Sequence, residues 1–324
     1  MLGGLLALLS AVCFSMNNAA ARRGVVSGTV WQAMAISVPF GVPFFFIALL
    51  IFGSLSDLAT FSPRQAFWLG CAGVVHFVIG RYANYRGAKA IGANLVGPIQ
   101  DTNILVSLGF AIFLLGEKVN AIMAVGIFCV CFGPVLTWKK GGAKPGPKKT
   151  STFRPNWGEG VAFAVLSALA YGASPILVRL GLDGGGVGRG TAAGLISYVV
   201  ASGSVMIALT RPGSISDIRA TGKANLVWFL VASLAVGMAQ LLRYMALSLA
   251  PVTVVAPMMR LSSVFRVYFS WLMNREHEIF GPGVILGTVV SVVGALVLSL
   301  QIEFARSFLP DTETIAAILR WRWP

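Results

Sequence analysis

Charged residues are scarce in this chain, and acidic residues are the scarcest. Of 324 residues only 11% are charged, with 11 Asp and Glu against 25 Lys and Arg, whereas a soluble domain carries roughly 25% charged residues. A soluble fold would therefore have too little polar surface. Hydrophobic residues make up 56% of the chain, and the mean hydropathy is +0.81. These values predict a multi-pass integral membrane protein, and we expect it in a bacterial inner (plasma) membrane.

Histidine and cysteine are too few and too scattered for a metal site or a catalytic pair. Neither His76 nor His277 has a second histidine at ligand spacing, and the four cysteines form no CxxC pair. No GxSxG serine is present, and the glycine run 184–190 does not fit GxGxxG and follows an apolar helix, not a strand. We therefore predict that the chain is not an enzyme and holds no cofactor or metal.

The net charge of +14 does not indicate a nucleic-acid partner, because Lys and Arg lie at the ends of apolar runs and in loops. Their densest group lies in the Gly/Pro-rich stretch 139–157, which we interpret as a cytoplasmic loop near anionic lipid headgroups. The count of Lys and Arg in all loops places both termini outside the cytoplasm.

The tail 303–324 has amphipathic spacing and two tryptophans, which is typical of an interfacial anchor.

Apolar runs of about 20 residues, the length that crosses the hydrocarbon core, recur along the chain. The predicted spans are 2–21, 29–52, 66–85, 93–116, 119–138, 158–180, 190–210, 225–248, 252–273 and 281–302. They divide five and five across the linker. This division predicts a first repeat at 1–138, the basic linker at 139–157, a second repeat at 158–302 and the tail at 303–324.

The two halves repeat each other in sequence as well. The stretch 9–14 returns as 166–171, and a proline and a glutamate recur at equal spacing. These pairs are Pro98 with Glu117, and Pro257 with Glu276. Because each half has an odd number of spans, the copies insert with opposite orientation. The predicted fold class is an all-α membrane protein of about ten transmembrane helices in two inverted five-helix repeats.

Ionisable groups at membrane depth are costly and therefore point to function. Asp101 lies within the fourth predicted span, and its repeat mate in the ninth is Arg260. An inverted repeat brings such positions together near the midplane. They form either a buried ion pair between the halves or a set of substrate contacts, and both interpretations remain open. Asn94 shares the helical face of Asp101, and its repeat mate is Thr253.

His76 lies in the middle of the third predicted span, where a histidine can relay protons because its unperturbed pKa is near 6.5. A histidine satisfied by a neighbouring helix carbonyl is the alternative. The matching helix of the second half offers Gln240 and Arg243, and we expect Arg243 to extend towards the span end. The predicted substrate-binding residues are Asp101, Arg260, Asn94, Thr253, His76 and Gln240.

The stretch YRGAKAIGANLVGPI at 85–99, followed by Gly116-Glu117-Lys118, resembles the EamA-type branch of the drug/metabolite transporter superfamily. The second copy, APVTVVAP at 250–257, ends in Asn274-Arg275-Glu276 and lacks the glycine. The resemblance covers residues 1–302. It implies a cavity lined by the third, fourth, eighth and ninth spans, with contributions from the first and sixth. It also implies cytoplasmic termini, opposite to the charge count.

By this resemblance the chain is expected to be a secondary transporter that works by alternating access. The expected cargo is a small polar or zwitterionic metabolite, amino-acid-like or drug-like, with protons as a candidate coupling ion. A flippase for a lipid-linked sugar or another lipid is the alternative. Substrate identity, direction of transport and oligomeric state do not follow from the residues.

Overall fold

The computed structural model describes residues 2–106, 109, 119–141, 154–182, 185–210, 213–250, 255, 258–299 and 322–323. The helices are α1 Leu2–Ser27, α2 Val30–Ser37, α3 Gly41–Phe52, α4 Ser56–Ala59, α5 Pro63–Gly73, α6 Arg81–Ile91, α7 Ala93–Asp101, α8 Ala121–Gly141, α9 Trp157–Gly181, α10 Gly186–Ala208, α11 Ser214–Arg219, α12 Lys223–Leu249, α13 Ser262–Asn274 and α14 Pro282–Ser299. A π-helical segment, Val74–Gly80, joins α5 to α6. Strands β1 Val119–Asn120 and β2 Arg322–Trp323 pair antiparallel.

Within the described part of the chain, six helical stretches are long and apolar enough to cross a membrane. They are Leu2–Ser27, Val30–Phe52, Pro63–Ile91, Trp157–Gly181, Gly186–Ala208 and Lys223–Leu249. Two shorter apolar stretches, Ala124–Gly133 and Pro282–Gly294, lie within α8 and α14. The predicted count of ten spans is therefore not confirmed. The fourth and ninth predicted spans fall partly outside the described residues, as does most of the predicted tail.

Two predicted spans have a different internal structure from a plain α-helix. The second is interrupted at 38–40 between α2 and α3. Pro39 accounts for the interruption, because it lacks an N–H and so removes one helical hydrogen bond, while Val38 and Phe40 keep right-handed helical backbone angles. The third is longer than predicted and contains the π-helical segment, in which the N–H of Arg81 donates to the carbonyl of His76. Segments of this kind are frequent at functional sites.

Apolar side chains cover the outside of this helical assembly. Ile51, Phe67 and Ile207 are 67%, 62% and 73% exposed, while many Ser, Asn, Gln and Arg side chains are buried. A soluble protein shows the opposite distribution, because its polar side chains face water. The distribution fits helices whose outer faces contact lipid and whose inner faces contact one another.

Helices of the two halves pair with each other in equivalent ways. The first helix of the chain, α1, packs antiparallel on α12, with Gly3 beside Ala250 and Gly24 beside Phe229. The first helix of the second half, α9, packs antiparallel on the α5–π–α6 stretch, with Gly160 beside Ile91. The same kind of pairing therefore occurs twice, once for each half, and the space between the pairs is bordered by both halves.

Helices α8 and α14, one from each half, also approach each other closely. A methyl group at Gly133 would lie 1.9 Å from Oγ of Ser291, and one at Gly294 would lie 2.6 Å from Cβ of Cys129. Small residues at such crossings allow the backbones into van der Waals contact, which drives helix association in lipid. The cysteines Cys13, Cys71, Cys129 and Cys131 are all free.

A sharp break separates α6 from α7. Gly92 stands between them with φ of +90°, a conformation that side chains with a Cβ rarely adopt. The short α7 then carries a proline, Pro98, in its interior, and ends at Asp101. This break, together with the π-helical segment, places His76 and Asp101 on separate helices that face the second half.

Candidate functional site

A cavity of about 120 Å³ lies between the two halves of the chain. The first half contributes polar side chains from α1, the α5–π–α6 stretch and α7, and the second half contributes them from α9, α12 and α13. Its principal polar and charged residues are Asn17, Asn18, His76, Arg81, Asp101, Asn103, Tyr171, Gln240, Arg243, Arg260 and Arg266. Since these residues lie at the depth of the apolar helices, they form the main polar interior of the molecule.

Four of the six predicted site residues line this cavity: Asp101, Arg260, His76 and Gln240. Thr253 lies outside the described residues, as do Pro257 and Glu117. Asn94 is described but lies elsewhere.

Asn94 belongs to the first turn of α7, where its Nδ2 donates to the carbonyl of Ile279 at 3.3 Å. The prediction that it shares a site with Asp101 is not supported by this placement. The two residues share a helical face, but seven residues of α-helix separate them by about 10 Å along the axis. Asn94 therefore contacts the loop before α14, and Asp101 reaches the cavity.

Asp101 and Arg260 both lie at the cavity but are not paired with each other. The Ser263 hydroxyl lies 2.8 and 2.7 Å from the two carboxylate oxygens of Asp101 and donates to one of them. Arg260 donates from Nη1 to Oδ1 of Asn103. Among the described residues the ion pairs are Arg22–Glu278 and Arg86–Glu159. The ion-pair interpretation of Asp101 and Arg260 thus does not hold in this conformation.

A directed chain of hydrogen bonds crosses the cavity wall from Arg243 to His76. Arg243 Nη1 donates to Oε1 of Gln240 at 3.2 Å, so Nε2 of the same amide points to Nε2 of His76 at 2.8 Å. The amide can only donate, so His76 accepts there as a neutral ring. The ring also packs on Tyr171, with centroids 4.5 Å apart. The partner of His76 is therefore Gln240, not a helix carbonyl.

Arg243 was expected to extend towards a span end, and this expectation is wrong. Its guanidinium lines the cavity and is buried, with Nη2 3.5 Å from the Ser174 hydroxyl, to which it donates. In the folded protein Gln240 and Ser174 accept hydrogen bonds from the Arg243 guanidinium, so this group does not need water at the membrane interface.

Other cavity residues were not among the predicted substrate-binding residues, and they include Arg81, Arg266 and Tyr171. Arg81 was detectable, because it is an arginine inside a predicted span, which is a functional signal by itself. In the structure Arg81 donates to the carbonyl of Ser37 and the hydroxyl of Tyr198, at 3.1 and 2.9 Å. Two of its five N–H donors are thus occupied by protein groups.

Several buried polar atoms at the cavity have no hydrogen-bond partner among the described residues. They are Nε of Arg260, Nε of Arg266 and Nδ1 of His76. Leaving a buried donor unpaired costs about 1–3 kcal/mol, and more for a charged group. Water or a ligand in the cavity can supply the missing partners.

The described lining also has an excess of positive charge. Arg81, Arg243, Arg260 and Arg266 stand against Asp101 as the acidic residue of the lining. The surroundings are apolar and interact weakly with charge, so this excess creates a strong attraction for negative charge.

A second buried ionic cluster lies apart from the cavity. Glu278 accepts hydrogen bonds from Nε of Arg22 at 3.2 Å and from the backbone N–H groups of Ala93 and Asn94 at 2.6 and 3.0 Å. Arg22 also donates to the carbonyls of Lys89 and His277. Burial raises the pKa of Glu278, while Arg22 and the two amides act in the opposite direction. Because the carboxylate lies at the N-terminus of α7, the helix dipole also stabilises it.

This cluster corrects the register of the repeat. Glu276, the predicted mate of Glu117, is exposed, whereas Glu278 is buried. Glycines follow at equal distance in both halves: Gly126 is nine residues after Glu117, and Gly287 is nine residues after Glu278. The second copy therefore carries two additional residues before its glutamate, and constant spacing from Pro257 did not reveal them.

Comparison with known proteins identifies the family. The model of the "EamA-like transporter family" matches residues 1–138 and 158–300. A solved structure described only as "Crystal structure of protein" resembles the fold with a TM-score of 0.62 at 14% identity, over 95% of this chain and 99% of the other. No curated protein matches significantly. Two family matches, one on each side of the linker, account for most of the chain, which therefore belongs to the EamA-like transporter family of membrane transporters, within the drug/metabolite transporter superfamily.

Proposed function

We propose that this chain is a secondary transporter that moves a small polar or zwitterionic metabolite by alternating access, using two inverted repeats around one central site. The observation that carries the proposal is the polar cavity between the halves, to which each half contributes charged side chains at membrane depth. Central sites between repeats are typical of secondary transporters. The charged lining favours a water-soluble solute over the tail of a lipid.

The size of the cavity supports a small substrate. A cavity of about 120 Å³ compares with the cavity of roughly 150 Å³ that holds benzene in a well-studied protein. A solute of about six to ten heavy atoms is therefore the scale that fits this conformation. A larger substrate would require the halves to separate further.

The contacts that cross the cavity between the halves are few and polar. His76 contacts Gln240, Asp101 contacts Ser263, and Asn103 contacts Arg260. Each is a side-chain contact, which a modest movement of one helix can break and replace with a contact to solute or water. Such exchangeable contacts fit a site that opens alternately to either side.

Proton coupling, if it operates, would run through His76. It is the residue of the described lining whose unperturbed pKa lies near neutral pH. Its neutral ring accepts from Gln240 in this conformation, so protonation would break that bond and free the amide of Gln240. The protonation state would then alter a contact between the two halves.

The test is counterflow in proteoliposomes that contain the purified full chain. Vesicles loaded with unlabelled amino acids and small organic acids are expected to accumulate the matching labelled solute, and empty vesicles are not. Arg260→Met should reduce the initial rate at least tenfold, while Arg219→Gln, at an exposed position, should leave it unchanged. Accumulation that persists with a protonophore argues for exchange or facilitated diffusion. Activity towards lipid-linked probes alone would overturn the proposal in favour of a flippase.

A further inference from the structure

Arg260 and Arg266 differ from the other cavity arginines in the protein groups that they contact. Arg81 and Arg243 each donate two hydrogen bonds to protein oxygens. Arg260 makes a single hydrogen bond, to Asn103, and its Nε lacks a partner among the described residues. Arg266 is only 5% exposed, lines the cavity, and its Nε likewise lacks a partner there.

The guanidinium of Arg266 packs against α7. A methyl group at Gly97 would lie 2.9 Å from its Nη1, so the guanidinium rests directly on the backbone of α7. Both arginines lie in the same short region of the chain, with Ser263 between them contacting Asp101. Two guanidinium groups whose Nε donors have no partner among the described residues thus border one cavity, near the end of α7 and the start of α13.

Guanidinium groups with unused donors suit a carboxylate or a phosphate. Their planar forks match the geometry of these anions and give charge-assisted bonds about twice as strong as neutral ones. A neutral polar solute would satisfy the donors but leave the excess positive charge of the lining uncompensated. The geometry and the charge therefore favour the same ligand chemistry.

We propose that Arg260 and Arg266 bind the acidic group, a carboxylate or a phosphate, of a small organic anion, and that the transported substrate carries a net negative charge at neutral pH. The inference rests on the proposed transport function and narrows its substrate class. Asp101 reduces the positive charge of the lining by one, but four arginines still leave the described lining positive, and the Ser263 hydroxyl donates to the Asp101 carboxylate. A zwitterion would use Asp101 for its ammonium group, and this alternative is an outcome of the test.

The test uses three four-carbon probes that differ in charge: succinate, 4-aminobutanoate and 1,4-diaminobutane, with inorganic phosphate as a fourth. Thermal unfolding of the purified full chain is followed at constant ionic strength, because a ligand that binds the folded state raises the unfolding temperature. We expect succinate or phosphate to stabilise the protein, with an apparent affinity at least tenfold above that of 4-aminobutanoate. Diaminobutane should have no effect.

Variants connect the effect to the two arginines. Arg260→Gln and Arg266→Gln should each weaken anion binding by about 10- to 100-fold, the range expected for hydrogen bonds to a charged group. Arg266→Lys should recover part of the affinity, since it keeps the charge but loses the fork. Arg219→Gln serves as the matched control. The unfolding temperature of each variant, measured without ligand, shows whether that variant folds.

The outcomes separate this inference from the transport proposal. If neither anion stabilises the wild type beyond a chloride control, or if 4-aminobutanoate binds more tightly, the anion assignment is overturned. Exchange of the zwitterion or the diamine alone in proteoliposomes overturns it too, while transport stands. If anions bind through both arginines and none of the probes is exchanged, binding stands and the transport proposal fails.

Discussion

Two regions of this molecule bury arginines, and the arginines differ in how completely their hydrogen bonds are satisfied. In the Glu278 cluster, Arg22 contacts a carboxylate and two backbone carbonyls, and Glu278 contacts Arg22 and two backbone amides. At the cavity, Arg260 and Arg266 keep unpartnered donors among the described residues.

The difference indicates two roles for the same residue type. A buried charge whose partners are all protein groups fixes the arrangement of helices, here α1, the start of α7 and the loop before α14. A buried charge with free donors next to a cavity can be retained only where water or a ligand completes its shell. Completeness of pairing, more than burial, therefore separates a structural arginine from a ligand-binding one.

The largest effect is expected from breaking the Arg22–Glu278 pair. Arg22→Met leaves the Glu278 carboxylate buried with its backbone donors but without a cation, and breaking a buried pair in this way costs about 3–5 kcal/mol. Unfolding of the solubilised protein measures the loss. The fraction of Arg22→Met that still folds should bind anions as tightly as the wild type, because the Glu278 cluster lies apart from the cavity. A variant as stable as the wild type would contradict the structural role of the cluster.

Gly92→Ala should destabilise the same cluster by a smaller amount. Its φ of +90° disfavours a side chain, and the new methyl group would lie 2.7 Å from Oε2 of Glu278. Strained backbone of this kind costs about 1–3 kcal/mol. Gly203→Ala is the control, because its methyl group meets no atom within 4 Å and alanine favours the helix. Equal unfolding temperatures for the two variants would refute the assigned role of Gly92.

Asp101→Asn tests the charge of the cavity. The amide keeps the size of the side chain and can still accept from Ser263, but it removes the negative charge next to Arg260 and Arg266. Succinate should then bind about 3- to 10-fold more tightly, because one like charge no longer opposes it. Release should become slower and counterflow weaker. Ser263→Ala retains the charge and should not tighten binding, so tighter binding in both variants would argue against an electrostatic cause.

The smallest effect is expected from Gly97→Ala. The added methyl group would displace the guanidinium of Arg266, which is the end of a flexible side chain and can shift by a few tenths of an ångström. Anion affinity should fall by about 2- to 5-fold, with little change in unfolding temperature. Titration of the variant beside Gly203→Ala measures the difference. If Gly97→Ala destabilises the fold as much as Gly92→Ala, then Arg266 is structural and the contrast between the two regions disappears.

Part of the cavity could be predicted from the sequence. Asp101, His76 and Arg260 were identified because ionisable residues within apolar runs are rare and costly, and all three reach the cavity. Arg81 satisfies the same criterion and could have been included. Arg266 satisfies it as well, but it lies six residues from Arg260, a spacing that puts two residues on different faces of a regular α-helix. The helical register alone does not show that the backbone of α7 at Gly97 packs against the Arg266 side chain.

Other features could not be predicted, because they depend on long-range packing. Arg22 is separated from Glu278 by 256 residues, and Glu278 was hidden by the two additional residues of the second copy. The π-helical segment that turns His76 towards Gln240 has no distinct sequence pattern. The position of Asn94 outside the cavity lining also depends on packing, because a shared helical face does not specify which neighbour a side chain meets along the axis.

The sequence by itself determined the environment and the duplication: scarcity of charge requires lipid around the helices, and two copies of one pattern require two similar halves. The tertiary structure alone decided which buried charges have partners. The physical reason is that a hydrogen bond acts over about 3 Å, so the state of each arginine depends on which helix lies next to it. Arg22 meets a carboxylate at that distance, and Arg266 faces a cavity.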